Sequence, residues 1–430
     1  MEYIRKTIVE NFFSQIPSIL AKTSFFIYIF FIFVGTSRPF QELIMPGAEI
    51  SDQDIVASNP FNQFLFSFLY ILSFLSLVSQ RRRVVEFVRT EKFFSFFILW
   101  SFLSIFWSDF AFVSFKRWLQ YFGTGIIFLS ALVHFESVDE ALDYFKLILI
   151  FYIPITVATV VLVPGATEAS FAGWTGLTLQ KNILGQISLM SLIVWAIPTT
   201  DESLLKKAAA IILVCLSIVL LIGSRSITCI LTGGILLVVA SAFKVQKIVF
   251  QPIIGKFFSL TLVFVFSFSL LAIIVFNLDI VASLFSLFGK DMTLTGRIDL
   301  WNSILLETKK NLLHGCGFGG FWVVDNPTID FIYSQFTWLP NRAHLGYLDI
   351  LNETGLIGLV LFGLMIFYYF LNLLKFEGPH YWKWFIIVVL VLNISESTLI
   401  APNSISGIFF TFAYFAFYSE YSRTKLSGMI

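Results

Sequence analysis

Residues 208–243 read AAAIILVCLSIVLLIGSRSITCILTGGILLVVASAF. Two apolar runs meet at a turn of four residues, Gly223-Ser224-Arg225-Ser226. Each run approaches the roughly 20 apolar residues that a helix needs to cross a bilayer. The stretch reads as a membrane hairpin with a guanidinium at its tip, where charge is costly unless it reaches the interface or does work there.

The same pattern recurs outward from this hairpin. Apolar runs fall near 17–36, 61–80, 93–108, 119–134, 147–164, 183–199, 208–224, 226–243, 257–277, 355–374, 384–400 and 404–420. Composition agrees: the 430 residues are 57% hydrophobic and 13% charged, and 53 of them are Phe. Soluble domains carry about 25% charged residues. Mean hydropathy is +0.86. The expected fold class is an all-α polytopic membrane protein of about twelve transmembrane helices. A soluble enzyme, a secreted module and a disordered chain are excluded. A net charge of +1 implies no field for a polyanion, and no nucleic-acid partner is expected. The three cysteines show no C-x-x-C pair, so neither a disulfide framework nor a redox site is expected.

Arg5 and Lys6 precede the first run, and no small-residue cleavage site follows it, which reads as an uncleaved first helix. With the N-terminus in the cytoplasm, Arg81-Arg82-Arg83, Arg89 and Lys92 fall inside, as do Lys206-Lys207, Lys244 and Lys247. The opposite orientation exports the arginine triplet, against the bias of Lys and Arg toward cytoplasmic loops. Both termini are therefore expected inside. The chain divides into helices over 1–277, a long outer loop over 278–354, and helices with a cytoplasmic tail over 355–430. Loops this long are uncommon unless they work. Leu300, Trp301, Ile304, Leu305 and Thr308 keep helical spacing, so the loop is expected to be partly helical.

Cations on the disfavoured outer side are the candidates for chemistry. Arg225 and Arg297 offer planar donor forks that suit phosphate. Lys116-Arg117 and Lys181-Asn182 lie at outer edges, where such residues also anchor to headgroups, and Arg342 falls on the outer side. His344, beside Arg342, has the residue type of a general base near neutral pH. Asp349, Glu353 and Glu396 are carboxylates that could orient it or replace it. Trp301, Phe318, Trp322 and Tyr333 suit both interfacial anchoring and sugar stacking. Gly315-Cys316-Gly317-Phe318-Gly319-Gly320 fits G-x-G-x-x-G, but no βαβ unit surrounds it. A turn where backbone comes close to something fits better. No two histidines have metal-ligand spacing, so no metal site is expected.

These motifs together resemble a family. Gly223-Ser224-Arg225-Ser226, Thr295-Gly296-Arg297 with Trp301, and His314-Gly315-Cys316-Gly317-Phe318-Gly319 stand in the family's order. Ala343-His344-Leu345-Gly346-Tyr347 through Asn352-Glu353-Thr354-Gly355, Lys181-Asn182-Ile183-Leu184-Gly185 and Asn393-Ile394-Ser395-Glu396-Ser397 match further motifs. The pattern, over roughly residues 100–410, resembles the O-antigen ligase and polysaccharide polymerase (Wzy) superfamily, and above all its ExoQ-type exopolysaccharide polymerases. One departure is Leu345, where the family has Asn.

The resemblance implies a GT-C-like membrane glycosyltransferase of the bacterial inner membrane, without metal or cofactor. It implies an undecaprenyl-diphosphate-linked glycan as donor and as acceptor on the outer face. It assigns the diphosphate to Arg225 and Arg297 and the reaction centre to His344. Lys181, Asn182, Arg117, Arg342, Trp301, Glu353 and Glu396 follow as weaker candidates for substrate binding. The expected activity is inverting polymerisation of repeat units into exopolysaccharide or O-antigen, beside a chain-length regulator and a flippase. The alternative is a ligase with the same donor and a lipid A core or other acceptor. A lipid-linked oligosaccharide flippase is a third reading, against which the chain shows no two-fold internal repeat.

Overall fold

The computed structural model describes residues 2–37, 39–40, 60–163, 166, 173–197, 203–237, 297–323, 326–336, 340–376, 381–401 and 403–426. The expected span 257–277, the boundary at 277/278 and the motif residues Thr295 and Gly296 lie outside them. Helices follow one another along the chain. The first group is α1 (Glu2–Gly35), α2 (Pro60–Val78), α3 (Arg81–Thr90), α4 (Phe93–Leu103), α5 (Ala111–His134) and α6 (Val138–Leu162). Then come α7 (Lys181–Ala196), α8 (Leu204–Gly223) and α9 (Ile227–Leu237). The last group is α10 (Arg297–Thr308), α11 (Pro327–Gln335), α12 (Gly346–Lys375), α13 (Trp382–Leu392) and α14 (Ile405–Leu426). Among the described residues there is no strand, and one isolated bridge joins Ser37 to Thr178.

Five of these helices are long and apolar enough to cross a membrane: α1 over Ser14–Gly35, α2, α6, α8 and α12. Phe93–Trp107, α9 and α13 are shorter apolar helices. Every expected apolar run except 257–277 carries helix along at least part of its length.

Between helices in lipid the water-driven term is missing, so packing and polar bonds decide association. α14 is apolar all round and sits at the centre: Ile408, Phe409, Phe410, Phe412, Tyr414, Phe415 and Phe417 are all buried. Phe409 stacks on Phe385 at 5.4 Å and on Phe145 at 4.7 Å, and Phe412 meets Trp382 edge-on at 5.2 Å. Such pairs add about 0.5–1.5 kcal/mol each beyond their buried area. Hydroxyls supply the polar bonds: Ser217 donates to Ser191 at 2.8 Å, and Ser406 to Gln186 at 2.8 Å.

Two breaks in the helices shape the site. α12 begins at Gly346, not at 355, because Asp349, Asn352 and Glu353 make its first turns look like loop by hydropathy. Those side chains are buried in protein. The helix then kinks at Gly355, whose φ of 70° and ψ of −174° leave the helical region. Residues 312–317 insert there. Leu356 N–H donates to Leu312 O at 2.8 Å, and Cys316 and Gly317 N–H donate to Asn352 O and Glu353 O at 3.0 Å. The freed backbone groups are thus satisfied from outside the helix. A side chain at Gly355 would lie 2.3 Å from Leu313 O.

The second break ends α13 at Leu392, where the apolar run continues to 400. Asn393 stops it: Oδ1 accepts Thr398 N–H at 2.8 Å and Leu399 N–H at 3.0 Å, while Nδ2 donates to Val389 O and Thr398 Oγ1 at 2.8 Å. Irregular backbone inside a membrane bundle is tolerated where it is buried in protein or lines a cavity. Both conditions hold for Glu396, Ser397, Thr398 and Ala401.

Candidate active site

The first turns of α5, α7, α12 and α14 and the last residues of α1 meet around a cavity of about 220 Å³. The irregular segments 318–323, 341–344, 396–401 and 403–404 complete its wall.

His344 stands at the mouth of α12 with φ of 51°, in the left-handed region. A non-glycine residue there costs on the order of 1–3 kcal/mol and persists only where its surroundings over-determine it. They do. Ala343 N–H donates to Asp349 Oδ1 at 3.3 Å, and Ala343 O accepts Trp301 Nε1–H at 2.7 Å. Leu345 N–H donates to Ser397 Oγ at 3.0 Å, and Gly346 N–H to Asn393 O at 2.9 Å and Glu396 O at 3.0 Å. Arg342 Nη1 donates to Ser397 O. The backbone on either side of His344 is fixed from three elements.

Arg225 is the other non-glycine residue with positive φ among the described residues, at 49°. Its turn rests on the segment before α7. Trp174 N–H donates to Gly223 O at 2.9 Å, and a side chain at Gly173 would meet Ser224 O at 2.2 Å. A relay leads inward from the turn. Ser226 Oγ donates to Asn182 Oδ1 at 3.0 Å, and Asn182 Nδ2 donates to Glu396 Oε1 at 3.0 Å. Beside it, Ser395 Oγ donates to Thr228 Oγ1 at 2.9 Å, and Arg297 Nη1 donates to Ser395 O at 2.9 Å.

Of the residues singled out in the sequence, His344, Asn182, Arg117, Arg342, Glu353 and Glu396 line the cavity. Arg297, first residue of α10, reaches the same segment through Ser395. Arg225 is exposed and lies off the wall, tied to it through Ser226 and Asn182. Lys181 is half-buried at the start of α7, next to Asn182, and does not line the cavity. Trp301 is buried behind the wall, and its indole N–H holds Ala343 O, so it positions the His344 loop and does not face a ligand.

The charges bear on one another. Burial pushes the His344 imidazole down to about 3, and the neighbouring cations Arg297 and Arg342 push the same way. The imidazole is therefore neutral at pH 7, as a proton acceptor must be. Burial also pulls Arg297 below its usual range, with Glu396 opposing. Among the described residues, no group of three His, Cys, Asp or Glu could hold a metal ion.

The motif at 393–397 is legible in the sequence, but its role as a hub of hydrogen bonds is not. Ser395 and Ser397 accept from Arg297 and Arg342 through their carbonyls, and Asn393 shapes the turn. The available signal was a run of small polar residues interrupting an apolar stretch. Trp322 and Asp349 were also underweighted: Trp322 Nε1–H donates to Asp349 Oδ1 at 2.9 Å, which ties the glycine-rich loop to the residue that pins Ala343.

Fold and site together define a polytopic membrane protein with an arginine-flanked polar cavity built on broken helices. Comparison with known proteins agrees. The O-antigen ligase family model matches residues 209–363, which contain Arg225, Arg297, His344 and Glu353. A stretch of 92 residues is 35% identical to the exopolysaccharide production protein ExoQ of Rhizobium meliloti (strain 1021). That stretch is 20% of this chain and 21% of that relative, so the chain spans about one fifth of the curated protein it matches. The chain thus resembles the O-antigen ligase and ExoQ-type superfamily, by a family match over 209–363 that is narrower than the 100–410 of the motifs.

Proposed function

We propose that this chain is a membrane glycosyltransferase that polymerises undecaprenyl-diphosphate-linked repeat units into surface polysaccharide. In this reading it is a GT-C-like protein of the bacterial inner membrane with about twelve spans and both termini in the cytoplasm, and the cavity opens on the outer face. The observation that carries the reading is His344, held on a strained, fully tethered turn at a polar cavity, with Arg297 and Arg342 close enough to bear on its charge.

The chemistry follows from those groups. The donor diphosphate sits against Arg297 and Arg342, and Arg225 guides it from the exposed turn. As the anomeric C–O bond breaks, its electron pair stays on the diphosphate oxygen, where the guanidinium groups meet the growing charge. The acceptor hydroxyl attacks the opposite face and passes its proton to His344, and the anomeric configuration inverts. The bound diphosphate itself makes His344 a better base, because its negative charge offsets the two cations that disfavour protonation.

A ligase shares every step up to the acceptor, and the family match carries that description. The stretch shared with an exopolysaccharide production protein favours the polymerase. The test is reconstitution in liposomes with the lipid-linked repeat unit as sole glycan. A ladder of longer lipid-linked chains that persists in EDTA supports the polymerase. No ladder, with transfer when a lipid A core is added, supports the ligase. Wild-type rates in both Arg297→Ala and His344→Gln end the reading.

A further inference from the structure

We infer that the cavity wall formed by Arg117, Gln120, Phe318, Gly319, Trp322 and Glu353 is a subsite for a sugar ring of the acceptor glycan. The inference rests on the glycosyltransferase reading and assigns a substrate part to a wall that reading leaves unused.

The cavity carries two kinds of polar surface. Near His344 stand Arg342 and, through Ser395, Arg297, which suit an anion. Glu353 lies about 10 Å further along α12 than Gly346, by the rise of 1.5 Å per residue. There a carboxyl and a guanidinium are held on one residue. Gly319 N–H donates to Glu353 Oε2 at 2.8 Å, and Gly319 O accepts Arg117 Nη1–H at 2.6 Å. Gly319 has φ of 63°, and a side chain there would come within 2.6 Å of Arg117 Cδ, so the backbone itself serves as the bracket.

A carboxyl group beside an arginine sets an acceptor next to a fork of donors. Such a pair is a good site for hydroxyls, each of which donates one bond and accepts others. Gln120 adds an amide with both capacities. Trp322 supplies the aromatic surface. Its indole plane is fixed by the bond from Nε1–H to Asp349 Oδ1 at 2.9 Å and by edge contact with Phe321 at 5.0 Å. A fixed ring beside convergent polar groups is the usual make-up of a specific small-ligand pocket. The distance from His344 lets the ring held here belong to the same glycan whose hydroxyl is deprotonated there.

The experiment uses full-length protein in lipid nanodiscs and two calorimetric probes. One is lipid-free oligosaccharide from partial depolymerisation of the source strain's polysaccharide. The other is inorganic pyrophosphate. Glu353→Gln is expected to weaken oligosaccharide binding by up to about tenfold, the weight of one hydrogen bond. Gln120→Ala is expected to weaken it severalfold, and both variants are expected to keep pyrophosphate affinity within about twofold. Arg342→Ala should show the reverse pattern. Unchanged oligosaccharide affinity in Gln120→Ala and Glu353→Gln overturns the subsite, as does parallel loss of both probes. Should Glu353→Gln fail to accumulate, Gln120→Ala decides by the same criteria. Wild-type protein that binds pyrophosphate but no oligosaccharide overturns the subsite and leaves the donor reading standing. Oligosaccharide binding weakened in the variants, without any pyrophosphate binding, supports the subsite and ends the donor reading.

Discussion

The two ends of the helical bundle use the same bond for opposite purposes. At the end away from the cavity, Arg423 Nη1 and Nη2 donate to Glu136 O, Leu132 O and Phe135 O at 2.8, 2.5 and 2.7 Å. Arg83 Nη1 donates to Val133 O at 2.5 Å. These carbonyls belong to the regular C-terminus of α5 and the residues after it, where unsatisfied acceptors and the helix dipole call for a cation. Lys22 pairs with Glu140 at 2.6 Å beside them. At the cavity end, Arg117, Arg297 and Arg342 also donate to carbonyls. Those carbonyls lie in irregular backbone at 319, 395 and 397. Arg225 and His344, the non-glycine residues of positive φ among the described residues, are also at this end. One end uses arginine to finish helices. The other uses irregular backbone to hold arginines at a cavity.

The sharpest way to break this comparison is His344. His344→Gln keeps a polar tip but no useful basicity, and it is expected to lower turnover about 10²–10⁴-fold. Donor binding, measured with the lipid-linked repeat unit, is expected to survive. If binding collapses while the maximal rate persists at saturating donor, His344 is a diphosphate ligand and the base lies elsewhere.

Arg297→Ala comes next, with an expected loss of about 10²–10³-fold in rate, the size seen when one charge-stabilising donor is removed. Arg297→Lys should not restore the rate, because the ammonium lacks the planar fork. Arg225 is exposed and off the cavity wall, so Arg225→Ala is expected to cost only roughly fivefold, in line with about 1 kcal/mol for an exposed charge. Equal losses in the two alanine variants would place Arg225 on the donor as directly as Arg297.

The opposite end gives the mirror result. Arg423→Ala is expected to lower unfolding free energy by about 1–3 kcal/mol, because it strips several helix-end carbonyls of a charged partner. Activity per folded molecule should stay near wild type. The comparison breaks if Arg423→Ala folds normally and loses turnover, or if Arg297→Ala lowers the thermal midpoint as much as Arg423→Ala does.

What the sequence shows and hides follows from the same contrast. Apolar runs reveal helices, since hydropathy is a property of side chains one at a time. The Gly223-Ser224-Arg225-Ser226 turn is legible because a charge between two apolar runs has few places to go. The kink at Gly355 is not legible, because its backbone partners come from 312–317, far away in the chain. Nor is the stop of α13 at Leu392, which depends on four bonds made by the Asn393 side chain inside an apolar run. The sequence shows Arg117 as an edge cation and Arg342 as a neighbour of His344 but not what holds either, because a carbonyl that accepts from them carries no signature of its own. Trp301 was legible as important but not in its role. An indole that stacks on a sugar and one that donates to Ala343 O look alike in a sequence.

The smallest expected effect is a pH dependence of stability that belongs to the cavity end. His344 titrates near 3 in the folded protein and near 6.5 when unfolded. The unfolded chain therefore binds the proton first as pH falls. The folded state has its full stability above the unfolded value and loses stability as pH drops from about 6.5 toward 3. By pH 5 the loss attributable to this one group is about 2 kcal/mol, from a slope that approaches 1.4 kcal/mol per pH unit. His344→Gln has no such proton to take up. Unfolding free energies of wild type and His344→Gln should thus hold a constant difference above pH 7 and diverge below it, with the wild type falling faster. Adding pyrophosphate should shrink the divergence in part, because burial is the main cause that keeps the imidazole neutral and an anion against Arg297 and Arg342 offsets only the repulsion added to it. If the two proteins lose stability in parallel down to pH 5, His344 is solvated in the folded state. The over-tethered turn then does not hold it in the buried position described here.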